Sequence, residues 1–238
     1  MIGINMIGLN IFVVLYLITL CGYFFSQTSG KIKIRAPHKI TMAVAYFTLA
    51  IVLMYRNPRF SEGGVLPSTT VHMLLFVGFF FAVLGDVFLL WNINRGGDFF
   101  LAGNIVFGAY YIAQFSINDI SFWKWCWVIP VTLLLVGVWV FLMSKWPNIF
   151  RLGKMKWPML FYLTSIIFHG IIAIAALIFL GPMYYWAVLL GIGSILFMIS
   201  DQLLTLDYFV ITGTKYMVRI SSAFYWVGML IMVLSTAF

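Results

Sequence analysis

Apolar runs of roughly 20 residues recur from one end of the chain to the other, separated by short polar stretches. Runs of that length are what a helix needs to cross the hydrocarbon core of a bilayer. The pattern predicts eight transmembrane helices, at approximately 5–25, 40–55, 70–91, 99–116, 125–143, 159–180, 184–206 and 216–237. The second is the shortest, at about 24 Å of helix. The intervening stretches are too brief to hold a soluble domain, so the expected fold is all-α: one polytopic transmembrane helical bundle spanning 1–238.

Composition agrees with the pattern. Of the 238 residues, 64% are hydrophobic and 8% charged, far below the roughly 25% charged residues of a soluble domain. The net charge of +8 belongs to the loops and gives no reason to expect nucleic-acid binding. The stretches after spans 1, 3, 5 and 7 carry Lys31, Lys33, Arg35, Lys39, Arg95, Lys145, Arg151, Lys154, Lys156 and Lys215. The other side carries Arg56, Arg59 and Lys124. The positive-inside rule then places the odd-numbered loops in the cytoplasm and both termini outside, as in a bacterial inner (plasma) membrane. "KIKIRAPHK" at 31–39 reads as a topology anchor, with a lipid-binding patch as the alternative. No basic segment precedes the first run, so a cleaved signal peptide is not expected. Cys21 and Cys126 fall near opposite faces and are expected to be inert buried thiols, too far apart to bridge.

Against this background the acids stand out. Glu62, Asp98 and Asp119 fall in predicted loops and Asp207 at a helix end, but Asp86 and Asp201 lie within spans 3 and 7. Each is about five residues before the predicted end of its helix, which puts both at one depth in the cytoplasmic half. Their surroundings are alike, "LGDVFLL" at 84–90 and "ISDQLLTL" at 199–206. Spans 3 and 7 are four apart, so a parallel duplication of a four-helix unit would make the two acids equivalent. Intramembrane acids are costly and mark functional sites. Helical spacing also gathers polar residues on single faces: Asn104, Gly108, Tyr111 and Gln114; Tyr162, Ser165 and His169; Gly191, Ser194, Asp201 and Thr205. Such faces also serve simply to join helix to helix. Lys215 and Arg219 are one turn apart at the cytoplasmic boundary, where they could hold a phosphate or merely snorkel to the interface.

Burial disfavours an ionised carboxylate, and two close carboxyls resist ionising together, so a dyad holds one proton between them. That suits hydrolysis by a general acid and a general base, and it suits a proton relay equally. There is no HExxH zinc motif, no GxSxG nucleophile elbow and no phosphate-binding glycine loop.

"GDVFLLW" at 85–91, "FLAGNIVFGAYY" at 100–111 and "GSILFMISDQLLTLDYF" at 193–209 resemble, in order and spacing, the lysoplasmalogenase (YhhN-like) family of eight-span membrane proteins. The matching elements are Gly85–Asp86, Phe100–Gly103 with Phe107, and Ser200–Asp201. In span 4 Tyr111 stands where a His is expected and Gln114 where a Tyr is expected. In span 8 Tyr225 is followed by Met229 instead of Gln. The resemblance implies an ether hydrolase that cleaves the vinyl ether of a lysoplasmalogen, or a related lysophospholipid, to a fatty aldehyde and a glycerophospho-base. It implies Asp86 and Asp201 as the acid–base pair, with neither assigned as the acid. Asn104, Tyr111, Ser200, Arg219 and Lys215 are pocket candidates for the lysophospholipid. No metal or organic cofactor is required. A proton-coupled transporter and a non-catalytic lipid-binding protein remain as alternative classes.

Overall fold

A computed structural model describes residues 6–28, 32–57, 67–147, 149–150, 153–209 and 215–238. Among these residues there are eight long helices and no strand: α1 (Met6–Thr28), α2 (Ile32–Arg56), α3 (Pro67–Phe88), α4 (Ile93–Ile117), α5 (Val128–Lys145), α6 (Lys156–Phe179), α7 (Tyr185–Phe209) and α8 (Lys215–Leu234). Seven are long and apolar enough to cross a membrane, and α1 adds a described apolar stretch from Ile11 to Phe24. The chain is a multi-pass helical membrane protein. Lys31, Arg59, Glu62 and Arg151, assigned to loops from the sequence, lie outside the described residues.

The largest departure from the sequence reading is α2. The apolar run predicts a start near residue 40, with the basic stretch 31–39 ahead of it as a topology anchor. The helix instead runs through Pro37 and starts eight residues earlier, so Lys39 belongs to it. Likewise α4 begins at Ile93, not 99, where Asn92 caps it by accepting from the backbone N–H of Asn94 and Arg95 at 2.9 and 3.2 Å. Helix α3 ends at Phe88, earlier than expected, and α7 continues to Phe209. Asp86 therefore lies two residues from its helix end and Asp201 eight.

Helix packing forms a closed circuit in which α2 touches α3, α3 touches α4, α4 touches α6, α6 touches α7, α7 touches α8 and α8 returns to α2. Helix α1 leans on α2 and α8, and α5 leans on α6. With only 17% of its residues buried, α5 turns most of its surface to lipid. The sequential contacts within α1–α4 recur within α5–α8. Gly78 and Gly193 each stand eight residues before the acid of their helix. A Cβ on Gly193 would come within 2.7 Å of the Gly228 carbonyl oxygen, so the α7–α8 crossing is set by backbone contact. Ser200 and Ser221 lock the same pair, each hydroxyl donating to the other's carbonyl, at 2.8 and 3.0 Å. At the opposite end the Asn57 side chain donates to the Thr236 carbonyl at 3.0 Å, tying α2 to the last turn of the chain.

The cysteines correct an expectation. Both are free, but Cys21 is exposed on α1 and Cys126 is half-buried.

Candidate active site

Asp86 and Asp201 line one cavity of about 90 Å³ between α2, α3, α7 and α8. At roughly 30 Å³ per water, that holds a few waters or a small reacting group. The acids are 2% and 4% exposed, so neither can rely on bulk solvent. Their partners differ. Asp86 receives three donors: Lys39 Nζ lies 3.3 Å from Oδ1, while the Tyr225 and Tyr46 hydroxyls donate to Oδ2 at 2.5 and 3.3 Å. Asp201 accepts from the Tyr162 hydroxyl and, among the described residues, forms no ion pair.

Each donor comes from the circuit's geometry. Lys39 and Tyr46 are seven residues apart, two turns along one face of α2, and that face packs on α3. Tyr162 comes from α6 onto α7 in the corresponding manner. The pairs Tyr46–Asp86 and Tyr162–Asp201 are separated by 40 and 39 residues, one pair in each half of the chain. Tyr225 crosses from α8, wedged against Phe100, Phe197 and Trp226.

The other sequence candidates divide. Ser200 is on the cavity wall, with its hydroxyl committed to Ser221. Arg219 is half-buried on α8 and is not part of the wall; Lys215 opens α8, and its side chain lies outside the described residues. Among the described residues the cation at the cavity is Lys39, one of the charges that the positive-inside count assigns to topology.

Asn104 and Tyr111 lie elsewhere. Asn104 Oδ1 is 3.0 Å from His169 Nδ1, His169 Nε2 is 3.1 Å from Ser194 Oγ, and Ser194 Oγ is 2.9 Å from the Tyr111 hydroxyl. This chain joins α4, α6 and α7. The order Ser–His–Asn is that of a nucleophilic triad. All three are buried to 1% exposure or less, and none of them lines the acid cavity or the neighbouring apolar one. Phe107 stacks on the imidazole at 5.1 Å, and the serine hydroxyl is already engaged by Tyr111. The arrangement joins three helices in the bundle core through hydrogen-bonded polar groups, with Asn104 Nδ2 buried and without a partner among the described residues.

A second, apolar cavity of about 410 Å³ adjoins the first. The two share Leu89, Phe100, Leu204 and Tyr208 as walls, and Tyr162 lines the larger one while donating to Asp201.

Comparison with known proteins gives one match. The family model described as the YhhN family covers residues 63–236, most of the chain from just before α3 to the end of α8. Helices α1 and α2, with Lys39 and Tyr46, precede the matched region. No curated protein and no solved structure matches.

Proposed function

The chain belongs to the YhhN family, which includes lysoplasmalogenase, and on that membership together with the paired acids we propose that it is an intramembrane vinyl-ether hydrolase. Its substrate is a lysoplasmalogen or a closely related lysophospholipid. The observation that carries this reading is the asymmetry of two buried acids on one small cavity. Asp86, held by Lys39, Tyr46 and Tyr225, is the ionised partner; Asp201, which accepts from the Tyr162 phenol and forms no ion pair among the described residues, is the proton carrier. An acid and a base are thereby available together at neutral pH.

The reaction follows in three steps. Asp201 gives its proton to the β-carbon of the vinyl ether, leaving an oxocarbenium ion at the ether carbon. Water in the cavity attacks that carbon and loses a proton to Asp86, whose negative charge also favours the cation. The hemiacetal collapses to aldehyde and alcohol, and proton exchange between the acids restores the starting state. The transporter alternative is less well supported, since α3 and α7 run unbroken through the acid positions, without the discontinuous helix usual at transport sites.

The test is turnover by purified protein in detergent on a lysoplasmalogen and on an ester lysophospholipid of equal chain length. Fatty aldehyde from the first and no fatty acid from the second supports the reading; absence of product from both, with the protein folded, refutes it. A companion variant probes the buried triad-like chain. Ser194→Ala is expected to lower thermal stability by about 1 kcal/mol, the scale of an interhelical hydrogen bond, and to leave kcat within about twofold. Loss of kcat by the factor of about 10³ or more typical of a removed nucleophile would instead make Ser194 catalytic.

A further inference from the structure

The larger cavity has a chemistry of its own. It opens between the first turns of α4 and α6 and the last turns of α7, the end of the bundle at which the acids lie. Among the described residues no Lys or Arg lines it; its charged wall residue is Asp98, which is exposed. A phosphate would meet repulsion there, whereas Lys39 stands on the acid cavity next door. Aliphatic and aromatic groups such as Leu101, Met159 and Phe161 make most of the remaining surface, with Asn94 and Thr205 as its uncharged polar members.

We propose that this cavity is the binding site for the hydrocarbon chain of the substrate and that it measures chain length. The proposal rests on the hydrolase reading above and deepens it. Continuity supports it: the cavities share four wall residues, and Tyr162 bridges from the apolar wall to Asp201. A chain seated there presents its first carbons to the acids, with the polar end on the Lys39 side. Volume supports it as well. At about 30 Å³ for a water-sized group, 410 Å³ takes on the order of a dozen chain carbons.

Gly97 offers the test. It lines the cavity, and a Cβ added to it meets nothing within 4 Å, so a larger side chain can enter the cavity without displacing backbone. Binding of non-cleavable alkyl-ether lysophosphocholines with eight-carbon and sixteen-carbon chains would be measured by calorimetry in nanodiscs, for wild type, Gly97→Ala and Gly97→Phe. A buried methylene is worth about fourfold in affinity, so excluding two or three costs at least about tenfold. Gly97→Phe is expected to weaken the long chain by that factor or more and the short chain by less than about twofold, with Gly97→Ala like wild type. Equal weakening of both chains, or no change in either, overturns the assignment. Because the ligands are not cleaved, the result is independent of which bond the protein hydrolyses. Chain-length discrimination without aldehyde release in the earlier assay would retain the cavity and reject the vinyl ether.

Discussion

Replacing Asp201 by Asn is expected to lower aldehyde release by at least about 10³-fold with little change in KM. An amide keeps the shape of the carboxyl and can still meet the Tyr162 hydroxyl, but it has no proton acidic enough to give to carbon. Asp86→Asn is expected to match that loss for a different reason, since it removes the base proposed to accept water's proton. The two variants should separate in stability. Asp86→Asn strands Lys39, whose side chain is only 11% exposed, beside a neutral group, and an unpaired buried charge is strongly destabilising. Asp201→Asn strands no charge. Rates from single-turnover assays and melting curves in detergent decide both points. Full activity in either variant would remove that acid from the chemistry.

The second large effect is at Lys39. Lys39→Met removes the cation 3.3 Å from Asp86 while keeping much of the side chain's length. Left with two phenols, Asp86 holds a proton instead of a charge, because a buried carboxyl without a counter-ion neutralises itself. The site then has two acids and no base. Turnover is expected to fall by about 10²- to 10⁴-fold, the usual contribution of a general base, with the protein still folded. Lys39→Arg, which restores a cation, is expected to recover part of the rate. A Lys39→Met variant as active as wild type would mean that Asp86 needs no cation to do its work.

How much of this was legible in the sequence varies from residue to residue. The spans were, because apolar runs of bilayer length carry their own signal, and so was the singularity of Asp86 and Asp201, since an acid inside such a run is conspicuous. The partners were not. Lys39 sits in the basic stretch 31–39, which has the composition of a topology anchor; only the continuation of α2 through Pro37 brings it into the membrane-spanning helix. A seven-residue spacing to Tyr46 was the available clue, since it puts cation and phenol on one helical face. Tyr225 appeared only as one half of an incomplete family pattern, whereas its hydroxyl reaches Asp86 across 139 residues of chain. Polar faces were read along each helix, but which faces meet is a property of the circuit. That is why Asn104 and Tyr111, at plausible depths, share a network with His169 and Ser194 while Tyr162, on the same face of α6 as His169, turns to Asp201.

The central claim is proton transfer to carbon by an acid in the membrane. Its most direct test is hydrolysis of a lysoplasmalogen by the purified protein in D2O, with the aldehyde trapped at once and analysed by mass spectrometry. Proton transfer from Asp201 would leave one deuterium, placed on the carbon next to the carbonyl, formed at a rate that vanishes in Asp201→Asn. An aldehyde without deuterium at that carbon, or labelled aldehyde formed equally fast by Asp201→Asn, would contradict it.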